Sequence, residues 1–524
     1  MAIIVCPQPL AAEIGLDVMR RGGNAVDAAV TTAFVQSVID PQMCGLGGCG
    51  AMLVHSPQAG DALLEFYGTA GSRVREDQWE SIFIRTAADR YGYVLEGFVN
   101  DVGYQSVCVP GTVAGLHEAL TRFGSISWAE AIEPAIPLAR DGFPVTGYVH
   151  GFWTMDYGPD VVPNAQRIQT TPAAKAIYTH DGALYAVGEL MVQADLARTL
   201  ERLAHDGPDV FYRGEIAETM AADFEANGGF ITREDLEGYT VNVTEPIRGT
   251  YRGLSVVAAG PPAGGLTLLQ MLNFLEGYDL GSHGWPSTEA ARLLVEAMAW
   301  AVADRELHVA DPRFVDIPTG ALADKQYAAK AREVIADRAD TTQVCVVDDG
   351  GNAVSLTHTL GSSSGVVTPG LGFGYNDYMN CFDPRPGRPN SIRPGKTRVT
   401  MMTPAMVFDR NKLRVCIGAP GGTKIVTSIM QVLVNVLDHD MTPVEAVSAP
   451  RVDYQGDIVQ AEARIPRSVC DGLERLGYRV NRRTLNYDSY FARPQVIVAE
   501  PDGYLSGASD PRKDGGAAYD TLMT

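Results

Sequence analysis

The sequence lacks the features that mark metal, nucleic-acid and membrane proteins. Its eight cysteines include no C-x-x-C pair and its nine histidines no H-x-x-x-H pair, so neither a zinc site nor a disulfide scaffold is indicated. Basic residues number 42 against 63 acidic ones, and a net charge of −21 disfavours nucleic-acid or anionic-membrane partners, because phosphate binding depends on basic patches. We therefore expect chemistry on a small molecule or peptide, with no metal or cofactor.

No apolar run is long enough to cross a bilayer. The N-terminus has no basic segment, and Pro7, Pro9 and Glu13 interrupt any apolar one, so no signal peptide is visible and we expect a cytoplasmic protein. At 524 residues the chain exceeds the usual size of a single core. Length alone suggests two or three domains or one large layered domain.

A β-hairpin is predicted where the last third of the chain begins. Two runs rich in β-branched residues, Gln343–Val347 and Ala353–Thr359, flank an Asp-Gly-Asn cluster centred near Gly350. If the strands pair symmetrically about that point, Thr341 faces Thr359 with Cβ atoms roughly 5 Å apart. The sequence therefore predicts two threonine hydroxyls at the open end of the hairpin.

The residues before Thr341 are polar and poor in strand formers, which is typical of an exposed segment open to cleavage. A cut after Asp340 would make Thr341 an N-terminal residue. An α-amine has a pKa of about 7.7 to 8.0, low enough to act as a base near neutral pH. An N-terminal threonine thus carries nucleophile and base together.

Three glycine-rich stretches match well-known patterns without the required context. Gly45–Gly50 fits G-x-G-x-x-G, but a helix precedes it and a strand follows, the reverse of a dinucleotide site. Gly361–Gly365 fits the serine nucleophile elbow, but no helix start follows. Gly418–Lys424 resembles a phosphate loop, yet threonine precedes lysine. A helix predicted over 425–437 would nevertheless let the glycine amides there act as anion donors.

Two helices are predicted near the N-terminus. Leu10, Ile14 and Val18 recur every four residues and predict an amphipathic helix that ends before Gly22. The segment 25–39 is apolar nearly all round, so we expect a helix buried between layers.

Nearly the whole chain resembles the γ-glutamyltransferase family of N-terminal nucleophile (Ntn) hydrolases. The family's nucleophilic and second threonines match Thr341 and Thr359. Further matches, in chain order, are 9–11, 22–29, 45–48, 109–115, 303–305, 311–312, 420–422, 449–451 and 507–512.

The resemblance implies a four-layer αββα sandwich and a precursor that cuts itself before Thr341. The products would be a large subunit, 1–340, and a small subunit, 341–524, sharing one intertwined core. It also implies that Gly421 and Gly422 form the oxyanion hole and that Thr359 orients the nucleophile. These features predict a zymogen that becomes an amidohydrolase or acyltransferase.

The substrate-binding positions depart from the family pattern. The family's carboxylate-binding arginine falls at Tyr67, and the asparagine two places after the second threonine falls at Gly361. The acidic residue that holds the substrate ammonium falls at Cys381, beside Asn380. The family's paired serines fall at Thr400 and Met401. The γ-glutamyl clamp is therefore expected to be dismantled.

Three functions stay open. The leading one is an amidohydrolase for a different, smaller acyl group, such as oxamate, which keeps a carboxylate beside its amide but has no ammonium. The second is a true γ-glutamyltransferase, with Asp377, Asn380, Lys396 or Arg398 replacing the missing groups. The third is a non-catalytic scaffold, which the retention of both threonines and both glycines argues against.

Overall fold

A computed structural model describes residues 1–87, 92–156, 158–331 and 343–520. The strands are β1 (Ile3–Cys6), β2 (Cys49–Ser56), β3 (Gly60–Phe66), β4 (Phe83–Thr86), β5 (Tyr93–Leu95), β6 (Phe143–Pro144), β7 (Thr179–His180), β8 (Ala183–Leu184), β9 (Leu190–Met191), β10 (Asn242–Thr244), β11 (Ile247–Tyr251), β12 (Leu254–Ala258), β13 (Val344–Val347), β14 (Ala353–Thr359), β15 (Ala405–Asp409), β16 (Lys412–Gly418), β17 (Val452–Tyr454), β18 (Val459–Ala461), β19 (Val480–Arg482), β20 (Gln495–Ala499), β21 (Leu505–Ser509) and β22 (Gly516–Tyr519).

The α-helices are α1 (Pro9–Arg20), α2 (Ala25–Ile39), α3 (Thr112–Phe123), α4 (Trp128–Ile132), α5 (Ala135–Arg140), α6 (Gly147–Trp153), α7 (Asn164–Arg167), α8 (Pro172–Tyr178), α9 (Ala194–Asp206), α10 (Asp209–Tyr212), α11 (Glu215–Ala226), α12 (Arg233–Glu237), α13 (Gly265–Leu275), α14 (Thr288–His308), α15 (Thr319–Leu322), α16 (Lys325–Ala331), α17 (Lys424–Leu437), α18 (Pro443–Ser448) and α19 (Arg467–Arg475). Within the described ranges, none of these helices is both long and apolar enough to span a membrane.

Two antiparallel sheets form the centre of the protein. The seven-stranded sheet has the order β10-β3-β2-β14-β13-β1-β22, and the six-stranded sheet has the order β11-β12-β15-β16-β20-β21. Strands from the two parts of the chain, before residue 331 and after residue 343, are interleaved in the first sheet. For example, β1 lies between β13 and β22. The two parts of the chain are thus hydrogen-bonded to each other along several strand edges.

Alternate side chains of β13 belong to different hydrophobic clusters. Val344 and Val346 pack with helices that include α2. Cys345 and Val347 pack against residues of the six-stranded sheet, such as Cys416. The opposite face of that second sheet packs on α13, α14 and α17. Side chains of β13 therefore contribute to one cluster with helices and to another with the second sheet.

The helix predicted over 25–39 is confirmed as α2, with every residue buried. Its first turn is held by a reciprocal cap: the Asn24 side chain accepts hydrogen bonds from Val26 N and Asp27 N, while the Asp27 carboxylate accepts one from Asn24 N at 2.8 Å. The apolar circumference and the strong cap explain why this helix could be predicted from sequence.

The predicted helix α1 is also confirmed, although one residue of its apolar repeat lies at the surface. Leu10 is 39% exposed, whereas the small residues Ala11, Ala12 and Gly15 are buried. A Cβ on Gly15 would lie 2.2 Å from Thr32 Oγ1 of α2. Close approach of the two helices, which needs small side chains, therefore decides which face is buried.

The alternation of strands predicts that a cut between residues 331 and 343 leaves both parts in one particle. Separating them would break the β1–β13, β1–β22 and β2–β14 ladders and expose the cores. Size-exclusion chromatography of cut protein without denaturant should give one peak containing both fragments. Two native peaks would contradict this prediction.

Candidate functional site

The predicted hairpin register is confirmed for the residues that the structure describes. Val344 pairs with Leu356, and Val347 pairs with Ala353. The same register continued outward would set position 341 opposite Thr359, but Thr341 lies outside the described residues. The contact between the two threonines therefore stays a prediction.

Thr359 is the last residue of β14 and is 1% exposed. Its Oγ1 accepts a hydrogen bond from Gly361 N at 2.9 Å. No described residue accepts the proton of the Thr359 hydroxyl. The hydroxyl is therefore oriented by the backbone, with its own proton left for a further partner.

A polar group on the same face of β14 joins the hairpin to the second sheet. Gln343 Nε2 donates to Ser355 Oγ at 2.8 Å, and Thr357 Oγ1 donates to Gln343 Oε1 at 2.5 Å. Ser355 Oγ donates in turn to the backbone oxygen of Ile417 in β16, at 3.0 Å. These residues were missed in the sequence, although polar positions at 355, 357 and 359 of a buried strand mark one face.

Gly418 is required where β16 passes the hairpin. A Cβ there would lie 2.1 Å from the Gln343 carboxamide carbon. The glycine thus permits the contact that brings the end of β16, and the chain that follows it, next to the hairpin.

Gly421 and Gly422 lie between β16 and the N-terminus of α17. Their φ angles are +144° and +60°, and a Cβ on Gly421 would lie 2.2 Å from the Cα of Ala492. Neither amide donates a hydrogen bond to another described residue. Two N–H groups that have no acceptor among the described residues, just before a 14-residue helix, can bind an anion or an oxyanion.

Tyr67 is 5% exposed, and its hydroxyl has no hydrogen-bond partner among the described residues. Burial, followed by the nearby Glu65 carboxylate, raises the pKa of Tyr67 well above its usual value. Tyr67 is therefore a neutral donor where the family places a cation.

The space next to Gly361 is filled by Asp377. A Cβ on Gly361 would lie 1.9 Å from Asp377 Oδ1. Both carboxylate oxygens of Asp377 accept from Ser362 N at 3.2 Å, and Oδ2 lies 3.6 Å from Arg167 Nη1. Asn380 also contacts it, through Nδ2, at 3.2 Å.

Three of the predicted substrate residues line one cavity of about 350 Å³: Cys381, Arg398 and Met401. Arg305, Arg385 and Arg388 line it as well, with Glu306 and Asp383. Thr359, the two glycines and Tyr67 are not among its lining residues. The predicted catalytic groups therefore do not form the wall of this cavity.

Arg398 and Lys396 differ in what they offer a substrate. The Arg398 guanidinium lies 3.9 Å from the centre of the Tyr378 ring and faces the cavity. Lys396 Nζ donates to the backbone oxygens of Pro389 and Ser391, at 2.7 and 2.9 Å, and burial lowers its pKa to about 8. Arg398 therefore lines the cavity, whereas Lys396 is not among its lining residues.

Thr400 is buried away from the cavity lining. Its N donates to the backbone oxygen of Pro262 at 2.9 Å, and its Oγ1 accepts from Met402 N at 3.4 Å.

Across the described ranges, His, Cys, Asp and Glu side chains form no group of three that could hold a metal ion.

His358 points to the opposite face of β14 from Thr359 and is fully buried against α2. One ring nitrogen, Nε2, lies 2.8 Å from Gln36 Oε1, and burial lowers the pKa of His358 to about 3. The histidine is therefore neutral and packed, as predicted from the alternation of the strand.

Loss of protein stability on acidification should depend on His358. Because its folded pKa lies below the unfolded value of about 6.5, its neutral form stabilises the protein above pH 6.5. As the pH falls from 6.5 towards 3, that stability should be lost at about 1.4 kcal/mol per pH unit.

Urea unfolding at pH 7.5 and 5.0 tests this for wild type and His358→Gln, which keeps a hydrogen-bonding amide but does not titrate. The wild type should lose more unfolding free energy between the two pH values than the variant. Equal losses in both proteins would show that His358 does not contribute.

Comparison with known proteins gives consistent matches. The family model for Gamma-glutamyltranspeptidase matches residues 11–520. The chain is 38% identical to the Acylase ACY 1 proenzyme of Pseudomonas sp. (strain V22), over 98% of this chain and 92% of that protein. It is 34% identical to the Glutathione hydrolase proenzyme of Escherichia coli (strain K12), over 96% and 89%.

A solved structure also matches along the whole chain. The cephalosporin acylase from Bacillus halodurans superimposes with a TM-score of 0.88 at 28% sequence identity, covering 99% of this chain and 96% of that one.

Proposed function

The chain belongs to the gamma-glutamyltranspeptidase family of self-processing Ntn amidohydrolases, and we propose that it is an acylase that works through an acyl-enzyme on Thr341. As a member of this family, the chain is an enzyme. Its structure contains both helices and strands. We further propose that the stacked sheets and helices are the αββα sandwich of Ntn hydrolases.

Self-cleavage begins with attack of Thr341 Oγ on the carbonyl carbon of Asp340. The bond from that carbon to the Thr341 nitrogen breaks as the nitrogen takes up a proton, and water hydrolyses the resulting ester. The products are a large subunit, 1–340, and a small subunit, 341–524, whose new α-amine lies beside the nucleophile.

In the cut enzyme the α-amine accepts the proton of Thr341 Oγ as that oxygen attacks a substrate amide. The oxyanion is stabilised by N–H groups of Gly421 and Gly422, and the departing amine takes up the proton. Water then attacks the ester and releases the acid. Support for this role of the glycines comes from their two unpaired amides at the N-terminus of α17.

The observation that carries the proposed specificity is the Asp377 carboxylate beside Gly361. A γ-glutamyl group brings an α-carboxylate and an α-ammonium, which both need charged partners. Tyr67 offers no positive charge and Cys381 no negative one. The volume of a side chain at 361 is taken by a carboxylate that already faces Arg167. These differences favour an acyl group without an α-ammonium.

Arg398 is the proposed partner for an acyl carboxylate, because it lines the same cavity as Cys381 and Met401, two of the predicted substrate positions. Oxamate, a small anionic amide, would need only this one charge contact. A cavity of about 350 Å³ also has room for longer acyl groups that end in a carboxylate. Similarity to proteins named acylase and cephalosporin acylase supports an acyl group other than γ-glutamyl.

A true γ-glutamyltransferase or glutathione hydrolase is the second candidate. Asp377 favours it in one respect, since a carboxylate at this place could pair with an α-ammonium in the absence of an acid at position 381. The 34% identity to a glutathione hydrolase proenzyme supports it too. Against it, the Asp377 carboxylate is fully buried and already bound to Ser362 N and Arg167.

Wild-type protein should cut itself into segments 1–340 and 341–524, and Thr341→Ala should stay intact because it lacks the attacking hydroxyl. Denaturing gels and N-terminal sequencing of the small fragment measure this directly. Thr342→Ala is the matched control and should still be cut. An uncut wild type after prolonged incubation would argue for a non-catalytic scaffold.

The processed enzyme should hydrolyse an anionic amide better than γ-glutamyl-anilide. Losing one partner of a buried charge pair costs roughly 2 to 5 kcal/mol, so kcat/KM for the γ-glutamyl compound should be lower by about tenfold or more. The panel comprises γ-glutamyl-anilide, oxamate, a glutaryl amide and a neutral acyl amide.

Arg398→Met should reduce the preference for anionic over neutral amides, because it removes the proposed partner of the carboxylate. Arg410→Met is the matched control, since the Arg410 side chain is 96% exposed in the β15–β16 turn.

If the γ-glutamyl compound ranks highest among the panel substrates of the wild-type enzyme, the second candidate becomes the function.

A further inference from the structure

The turn that follows Thr359 is built on a buried carboxylate. Gly361 N donates to Thr359 Oγ1 at 2.9 Å, and the next amide, Ser362 N, donates to both oxygens of Asp377 at 3.2 Å. Asp377 N donates back to the backbone oxygen of Leu360 at 3.0 Å. Asp377 thus holds the amide of Ser362, and the amide before it, Gly361 N, orients the Thr359 hydroxyl.

Arg167 supports the Asp377 carboxylate from the other part of the chain. Its Nη1 lies 3.6 Å from Asp377 Oδ2 and donates to the backbone oxygen of Ser363 at 2.6 Å. Its Nη2 donates to Asp101 Oδ2 at 2.7 Å. The arginine therefore contacts the turn directly as well as the carboxylate beneath it, and it is itself fixed by Asp101.

The absence of a side chain at Gly361 is needed for this arrangement. Its φ of +74° would suit asparagine as well as glycine, so conformation alone does not require glycine. Space does, because any Cβ would lie 1.9 Å from Asp377 Oδ1. Gly361 and Asp377 are therefore a matched pair.

We propose that Asp377 is a positioning residue: through the Gly361–Ser362 turn, its carboxylate fixes the direction of the Thr359 hydroxyl. The lone pair of Thr359 Oγ1 that faces the turn is occupied by Gly361 N, so the hydroxyl proton is directed away from it. A shift of the turn would rotate that proton. This inference rests on the proposed role of Thr359 in orienting the nucleophile.

The charge of Asp377 depends on several groups packed around it. Those that face it are Arg167, Asp101, Arg398, Cys49 and Cys108. Burial raises the pKa of Asp377 to about 7, against the opposing effects of the two arginines. Burial also raises the pKa of both thiols, which keeps them neutral. The carboxylate that holds the turn is therefore present above about pH 7 and is progressively lost below it.

Asp377→Asn tests the positioning role, because it removes the charge at nearly constant shape. A nucleophile held about 1 Å out of place can lose about a hundredfold in rate, so we expect self-cleavage and kcat to fall by about tenfold or more. The KM for the best amide of the panel should change little, since Asp377 does not contact substrate in this proposal.

Asp348→Asn is the matched control. Asp348 is a buried carboxylate that holds the turn at the other end of the same hairpin, accepting from Asn352 N and Ala25 N at 2.9 Å each. The Asp348→Asn substitution should leave kcat unchanged. Equal kcat in Asp377→Asn and Asp348→Asn would overturn the proposal.

The pH profile separates positioning from a general structural effect. In wild type both the Thr341 α-amine and Asp377 take up a proton as the pH falls, so log(kcat/KM) should fall with a slope greater than one where Asp377 titrates. In Asp377→Asn only the amine remains, and the slope should approach one. A slope that stays the same in both proteins would overturn the proposal.

Arg167→Lys gives a second test if Asp377→Asn fails to fold. The lysine keeps the charge but lacks the planar fork, so it stabilises the carboxylate less and should move the acid limb to higher pH while lowering kcat. An unmoved limb would overturn the proposal. Failure of the proposed function would appear separately, as a wild type that neither cuts itself nor hydrolyses any amide of the panel.

Discussion

The pairing of β14 with β13 on one side and β2 on the other is the constraint on which the site depends. Successive side chains of a strand point to opposite faces, so Ser355, Thr357 and Thr359 all face the second sheet while His358 faces α2. A slip of one residue would bury Thr359 among helices and bring His358 between the sheets. Register therefore decides which side chain reaches the catalytic end of the hairpin.

Polar contacts between the sheets extend this constraint to the turn that contains Gly421 and Gly422, the proposed oxyanion donors. Gln343 contacts both Ser355 and Thr357, and Ser355 donates to the backbone of β16. The chain leaving β16 then forms the glycine turn at the start of α17, where close packing against Ala492 excludes any side chain at Gly421. Hydrogen bonds in an apolar surrounding are costly to break, so they hold the two sheets in one relative position at this end.

On the side that we propose binds substrate, the chain departs from the family pattern in volume as well as in charge. Gly361 leaves a space that Asp377 fills, and Arg167 compensates the buried carboxylate. A substitution at either position alone would leave a clash, a cavity or an unpaired buried charge. Because the cluster also holds the turn after Thr359, the proposed specificity and the proposed orientation of the Thr359 hydroxyl depend on one set of contacts.

Local sequence determined those elements whose structure depends on residues that lie close together in the chain. The hairpin followed from β-branched runs around a glycine-rich turn, and α2 followed from its apolar circumference and cap. The same patterning set His358 and Thr359 on opposite faces of β14.

Only the tertiary structure decided the contacts between distant segments. The approach of Arg167 to Asp377, the hydrogen bond from Ser355 to Ile417 and the packing of Ala492 on Gly421 all depend on how elements far apart in sequence pack. Propensity and periodicity carry no information about which buried charge meets which, or about how much space a missing side chain leaves. Those quantities are fixed by close packing, which is a property of the folded chain as a whole.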